Sequence, residues 1–321
     1  MTRVLVLAGG PDAEREVSLQ SGAGVADAAR RAGLEVVHET IGRPSVSELR
    51  ALIERAGAQA VFPALHGPWG EGGPLQDMLE TIGVAYVGCR SHAARLAMDK
   101  LATKLFAAQA GVPTLPAAVL NPLDDVCPLA LPVVVKPVHE GSSVGLHLCP
   151  DRGAWARALA AVRDAHHAHP HRTSMVERMV RGVELTVGVL GGEALPVVRI
   201  EPASGVYDYD AKYVREDTRY SVAPELPDGV SERVRQDAIS VARALGVRHL
   251  CRVDFLMEDG ADGVRYWLLE ANTMPGFTSH SLLPMAAAHA GLDMPALVRR
   301  LVEMATHDAG ANGRNARTGG S

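Results

Sequence analysis

The sequence carries no excess of positive charge. Lys and Arg total 32 against 37 Asp and Glu, a formal net charge of −5. A chain of that sign lacks the broad electropositive surface on which non-specific nucleic-acid binding depends. Long apolar runs are also missing. Residues 129–135, interrupted by Pro132, fall far short of the ~20 residues that span a bilayer. The N-terminal apolar run, residues 4–8, is too short for a secretory signal and ends in glycines. The four cysteines (Cys89, Cys127, Cys149, Cys251) are scattered, with no CxxC pair. They read as small buried hydrophobes in a reducing cytoplasm. No Gly-Lys dipeptide occurs, which excludes a Walker-type phosphate loop. Gly22-Ala-Gly24-Val-Ala-Asp27 opens like a dinucleotide fingerprint, but an aspartate replaces its third glycine and it falls within a predicted helix. What is left is an ordinary globular composition: 321 residues, 47% hydrophobic, enough for two or three domains with cores of their own.

The first ninety residues alternate between strand and helix patterns. Wholly apolar residues 4–8 suit a buried parallel strand, and a helix over 16–31 follows with Gly33 as its stop. Strands over 35–40 and 60–65 bracket a helix over 46–56. Pro74 opens another helix, which Gly83 closes before an apolar segment at 84–88. This order predicts a parallel sheet covered by helices. One long helix is predicted over 91–110, then strands at 132–137 and 145–149 joined by the Gly- and Ser-rich loop 139–145. A helix over 151–167 leads to a strand at 174–179. Beyond it, strands 183–190 and 194–200 turn at Gly191-Gly192, and strands 249–258 and 264–270 turn at 259–263. The fold class is thus α/β followed by α+β material. The divisions expected are 1–90, 91–176 and 177–308, with a low-complexity tail, 309–321, expected to be disordered.

Gly141-Ser142-Ser143-Val144-Gly145 matches the G-x-S-x-G nucleophile elbow of hydrolases, which requires a strand before it and a helix after it. A strand pattern follows instead. Such a loop can also offer N–H groups and hydroxyls to phosphate oxygens, and Lys136 at the end of the preceding strand would add an ammonium. Asp254 sits inside an apolar strand, Glu270 ends the next, and Asn272 follows two residues later. Paired in a hairpin, the three would present oxygen ligands suited to a hard cation such as Mg²⁺; the alternative is a structural salt bridge between Asp254 and Arg252. His66, beside Gly67, and Glu14 fall at the carboxyl ends of parallel strands, where open α/β sheets bind ligands. The tract His166-His167-Ala-His169-Pro-His171 has no tetrahedral spacing and reads as a solvated helix end.

Eight segments resemble, in order, the D-alanine–D-alanine ligase family of the ATP-grasp superfamily: Gly9-Gly10 through Ser21-Gly22, Ala64-Leu-His-Gly67, Met98-Asp-Lys100, Lys136-Pro137 through Gly145, Tyr207-Asp-Tyr-Asp-Ala-Lys-Tyr213, Arg252-Val-Asp254, Glu270-Ala-Asn-Thr with Pro275-Gly276, and Thr278-Ser-His-Ser-Leu282. The resemblance implies an ATP-grasp fold, with an N-terminal α/β domain and two α+β subdomains that clasp ATP. It also implies ligation of two D-alanine molecules through a D-alanyl phosphate, for peptidoglycan precursors, in a cytoplasmic homodimer without nucleic-acid or membrane partners. By the same resemblance Lys100, Lys136 and Ser143 would hold phosphates, while Glu177, Val180 and Glu184 would meet adenine and ribose. Asp254, Glu270 and Asn272 would bind two Mg²⁺ or Mn²⁺ ions. Glu14, Ser142 and Tyr213 would serve the first substrate, with His66 near its carboxylate. Arg252 and the Gly276 N–H would stabilise the oxyanion. Lys212 would shape the loop over the second substrate, and Ser281 and the Leu282 N–H would take that substrate's carboxylate. Departures from the family pattern occur at Arg178-Met179, Pro68-Trp69 and Met274. The alternatives are a D-alanine–D-lactate or other carboxylate–amine ligase, a catalytically idle nucleotide-binding protein on the same scaffold, and a serine hydrolase using Ser143.

Overall fold

The structure, a computed structural model, describes residues 1–203, 217–260 and 263–318. The first layer comprises β1 (Arg3–Gly9), α1 (Arg15–Arg31), β2 (Glu35–Ile41), α2 (Val46–Ala56), β3 (Ala60–Pro63), α3 (Gly67–Gly70), α4 (Pro74–Ile82) and β4 (Ala85–Tyr86). Its strands form a parallel sheet in the order β2-β1-β3-β4. β1 is central and buried on both faces, as its unbroken apolar run requires. Val4 and Val6 point into one core with Val25 and Ala29 of α1, whereas Leu5 and Leu7 point into another with Leu49 and Ile53 of α2 and Leu75 and Leu79 of α4. Ser45 caps α2 in a reciprocal box with Glu48, and Gly57 ends it at φ +61°, a backbone that favours glycine.

The chain then breaks where one helix was predicted. α5 (Ser91–Met98) and α6 (Lys100–Gln109) are separate, because Asp99 adopts φ −83°, ψ 104° and its carboxylate accepts from the Leu101 and Ala102 N–H groups at 2.9 Å. A side chain that caps a new start outcompetes helical continuation there. β5 (Ala117–Leu120), β6 (Val133–Pro137), β7 (His147–Cys149), α7 (Arg152–Ala168) and β8 (Ser174–Arg178) follow, in an antiparallel sheet ordered β5-β8-β6-β7. Its Val133, Val135 and Val176 pack on Trp155, Leu159 and Val162 of α7.

The remaining elements are β9 (Val183–Leu190), β10 (Glu193–Ala194), β11 (Val198–Glu201), β12 (Arg219–Val222), α8 (Val230–Ala244), β13 (Leu250–Gly260), β14 (Gly263–Asn272), α9 (Leu282–His289) and α10 (Met294–Thr318). The antiparallel order is β12-β11-β9-β13-β14, with β10 beside β9. The single strand predicted over 194–200 is divided into β10 and β11, with Pro196, which has no N–H to give a ladder, between them. α8 covers one face through Val234, Ala238 and Val241. α10 covers the first sheet with Leu297, Val298, Leu301 and Val302, and it runs helical to Thr318, past the point where a disordered tail was expected. Extending an existing helix adds a hydrogen bond per residue without a new nucleation cost. Among the described residues, no helix is long and apolar enough to cross a membrane.

Candidate active site

Strand alternation builds the site. In β6, Val133 and Val135 enter the core, so Val134 and Lys136 face the other way; in β8, Val176 enters it and Glu177 does not. Glu184 of β9, Asp254 and Leu256 of β13, and Glu270 of β14 look back from the last sheet. Between the two sheets lies a cavity of about 680 Å³ whose wall includes Lys100, Lys136, Ser143, Glu177, Val180, Glu184, Asp254 and Glu270. All six residues expected to hold nucleotide border this one space, together with two of the three expected metal ligands. Its volume falls within the ~300–1,000 Å³ range of small-molecule sites.

Lys100 owes its position to the break at Asp99. Its ammonium donates to the Glu140 carbonyl in the serine-rich loop at 2.5 Å and lies 3.3 Å from Glu270. Lys136 pairs with Glu177 at 2.7 Å, and Lys104 pairs with the other oxygen of the same carboxylate. Burial pushes the Glu177 pKa up, but the two lysines outweigh it and hold the carboxyl below its ordinary value. Asp254 and Glu270 are register partners across the β13–β14 ladder, as are Arg252 and Asn272. The Asp254 carboxylate accepts from Arg252 Nε (2.9 Å) and Nη2 (2.8 Å), from Thr186 Oγ1 (2.5 Å) and from Asn272 Nδ2 (3.1 Å). The salt bridge weighed against a metal site is therefore present. It coexists with the convergence of the three oxygen-bearing side chains. Two carboxylates and an amide are a hard donor set that suits Mg²⁺ or Mn²⁺ once phosphate oxygens are added. Among the described residues, no three His, Cys, Asp or Glu side chains form a metal-holding group, and the histidine tract sits at the end of α7.

A second cluster lies at the carboxyl edge of the parallel sheet. Ser142 Oγ donates to Glu14, and the loop comes so close that a Cβ on Gly141 would lie 2.9 Å from that carboxylate, which would have to shift to make room. Ser142 and Ser143 occupy the left-handed region at φ +51° and +58°. Such strain concentrates at functional loops. The loop leads to strand β7 and not to a helix, so the hydrolase elbow is not formed. His66 Nδ1 donates to the Met274 carbonyl at 3.0 Å, which leaves Nε2 to accept from Ser21 Oγ at 3.2 Å. Burial drives this histidine down to about 4, so it is neutral at physiological pH. Ser21 Oγ in turn accepts from the Phe277 N–H at 3.1 Å. Gly276 packs so closely that an added Cβ would lie 2.8 Å from Ser281 Oγ. That hydroxyl accepts from the Thr278 N–H (2.8 Å) instead of capping α9, so no side chain caps the helix end at Leu282. Tyr213 and Lys212 lie outside the described residues.

Two buried side chains at the site carry no motif. Glu71 accepts from the Met274 N–H (3.0 Å) and the Gly67 N–H (3.3 Å). Burial, then the charge of Glu14, pushes it up to about 8. With Lys100, Gly141, Glu270 and Asn272 it lines a narrow cleft between the cavity and the Glu14 cluster. Lys104 is the other. Its only sequence signal was its place one turn after Lys100 on the same helix face. Pro68-Trp69 forms the short α3, whose Trp69 and Gly70 N–H groups donate to Asp12 at 2.8 and 3.3 Å.

A helix-covered parallel sheet, followed by two antiparallel sheets that enclose a cavity lined by lysines and carboxylates, is the ATP-grasp arrangement. Solved structures agree: that of D-alanine–D-alanine ligase from Bacillus anthracis complexed with ATP superposes with a TM-score of 0.81 at 26% identity, covering 97% of this chain and 100% of that one. The family model described as D-ala D-ala ligase C-terminus matches residues 120–303, and the one described as D-ala D-ala ligase N-terminus matches residues 42–89. Among curated relatives, the D-alanine–D-alanine ligase of Dechloromonas aromatica is 44% identical over 310 residues, 95% of this chain and 98% of its own length. That of Acidiphilium cryptum is 44% identical over 308 residues, 95% and 99% of the two chains. The chain belongs to the D-alanine–D-alanine ligase family and is a ligase.

Proposed function

We propose that this enzyme joins two D-alanine molecules into D-alanyl-D-alanine at the expense of ATP, releasing ADP and phosphate, as a step in cytoplasmic peptidoglycan precursor synthesis. The observation that carries this reading is the placement of Lys100, Lys136, Asp254 and Glu270 around one cavity, adjoining the Glu14–Ser142 pair. A carboxylate is a poor acyl donor, and phosphorylation supplies the leaving group. Phosphoryl transfer asks a protein chiefly for positioning and charge neutralisation.

In this reading Glu14, oriented by Ser142, takes the ammonium of the first D-alanine, and His66 lies near its carboxylate. The carboxylate attacks the γ-phosphorus of ATP, the bond to the β-bridging oxygen breaks, and ADP departs. Lys100, Lys136 and the loop carrying Ser143 hold the phosphates, while Glu177, Val180 and Glu184 take adenine and ribose. Asp254, Glu270 and Asn272 would hold two Mg²⁺ or Mn²⁺ ions, which supply neutralisation of phosphate charge when bound. Ser281 and the uncapped Leu282 N–H, at a helix N-terminus suited to an anion, receive the second D-alanine's carboxylate. Its deprotonated amine attacks the acyl phosphate, Arg252 and the Gly276 N–H stabilise the tetrahedral oxyanion, and phosphate leaves. For Lys212 and Tyr213, the family resemblance implies a part in shaping the loop over the second substrate. The functional divisions are 1–90, 91–176 and 177–308, and the family resemblance implies a homodimer.

The test is ADP release with ATP and Mg²⁺, with no amino acid, D-alanine, L-alanine, or D-alanine plus D-lactate, and mass spectrometry of the products. D-alanine-dependent ADP release with dipeptide as product is the expected result. ADP release that ignores D-alanine would refute the substrate assignment, and depsipeptide exceeding dipeptide at neutral pH would favour the D-lactate reading.

A further inference from the structure

Two ammonium groups converge on one buried carboxylate. Lys136 Nζ lies 2.7 Å from Glu177 Oε2, Lys104 pairs with Oε1, and none of the three side chains is more than 10% exposed. Lys136 and Glu177 border the 680 Å³ cavity, but Lys104 stands behind them. It comes from α6 and also donates to the Leu115 carbonyl at 3.2 Å. The proposed reaction has no use for it, yet an ammonium is costly to bury without a purpose or a partner.

Its purpose follows from the charges. Lys136 and Glu177 alone would make a closed, neutral pair. A phosphate recruiting Lys136 would then have to leave Glu177 as an uncompensated buried anion. With Lys104 present the trio carries one net positive charge, and Glu177 keeps a partner when Lys136 turns towards phosphate. We infer that Lys104 is a positioning residue for nucleotide binding, the resident counter-ion of Glu177 that frees Lys136 for phosphate. The inference rests on the reading of the cavity as the ATP site.

The test measures equilibrium binding of Mg-ATP, Mg-ADP and adenosine by calorimetry without D-alanine. Lys104→Gln keeps an N–H for the Leu115 carbonyl but removes the charge. It is expected to weaken ATP and ADP at least tenfold and adenosine less than twofold, with Lys104→Arg restoring most of the loss. Unchanged ATP and ADP affinity, or an equal loss for adenosine, would overturn the inference. Glu177→Gln supplies the second arm, because it removes the group through which Lys104 acts. ATP binding to Glu177→Gln and to Lys104→Gln/Glu177→Gln should agree within twofold, and this comparison stands even if Lys104→Gln alone does not fold. A much weaker double variant would show that Lys104 acts directly, and would also overturn the inference. A wild-type protein that binds no ATP would instead remove the reading of the cavity itself.

Discussion

Glu71 shows how one carboxylate can serve geometry at the expense of its own ionisation. Its oxygens receive N–H groups from Gly67 and Met274, and its backbone carbonyl receives the Thr273 hydroxyl at 3.2 Å. These bonds tie the loop after β3 to the segment between Asn272 and Gly276. Burial raises its pKa from an ordinary 4.5 to about 8, with the Glu14 charge adding to the effect. Between those values the folded protein keeps a proton that the unfolded chain releases, so folding stability from this group declines as pH rises from about 4.5 to 8. Glu71→Gln removes the titration while keeping a neutral amide of similar shape. Whatever its absolute melting temperature, the variant should lose less of it than the wild type between about pH 5 and 8. Parallel melting curves across that range would show that Glu71 is ionised in the folded state.

The break between α5 and α6 is the element on which the phosphate end of the cavity depends. Asp99 starts α6 and also lies 3.4 Å from His139 in the serine-rich loop, while Lys100 reaches the next residue's carbonyl. Asp99→Ala should cost about 1 kcal/mol of stability through the lost cap. It should also raise the KM for ATP more than that for D-alanine, since Lys100 follows the new helix start. Asp99→Asn, which can still cap, should restore both. Equal changes in the two KM values, measured by coupled ADP assay, would contradict the link.

This break was not legible in the sequence. Met98-Asp-Lys100 fits a continuous apolar period, and an aspartate's preference for capping shows only once the backbone can turn. Strands β1, β9 and β13 were plain, because they are largely apolar runs bounded by glycines or charges, whereas the short β5 and β12 were not read and the strand expected over 194–200 is divided. Lys136, Asp254 and Glu270 were plain too, as polar residues planted in or at the end of such runs, where burial demands a partner. Glu71 and Lys104 were hidden because their partners are far along the chain: Met274 lies 203 residues from Glu71. Their meaning comes from tertiary proximity alone.

At the scale of the whole molecule, one histidine ties together the first layer, the last sheet and the final helix. His249, at the entrance to β13, accepts the Gly88 N–H at Nδ1 (3.1 Å) and donates from Nε2 to Asp308 of α10 (3.1 Å). Arg248 beside it donates to the Gly88 carbonyl at 2.7 Å and lies 4.5 Å over the Tyr86 ring. The Gly88 bond requires Nδ1 to be unprotonated. Burial, helped by the charge of Arg248, drives the histidine from 6.5 down to about 4. The unfolded chain therefore binds a proton that the folded protein refuses in this interval, and stability from this group is present above about pH 6.5 and lost as pH falls towards 4. The loss reaches up to about 3 kcal/mol, at ~1.4 kcal/mol per pH unit. His249 also sits at φ +63°, which asparagine tolerates better than most residues. His249→Asn thus removes the titration without adding backbone strain. The variant should be less stable than the wild type at neutral pH, because both bonds are altered, and the difference should shrink as pH falls from 6.5 to 4.5, read from denaturant midpoints at each pH. A difference that stays constant over that range would mean that His249 does not report on protonation, and that the acid sensitivity of the assembly lies with other groups.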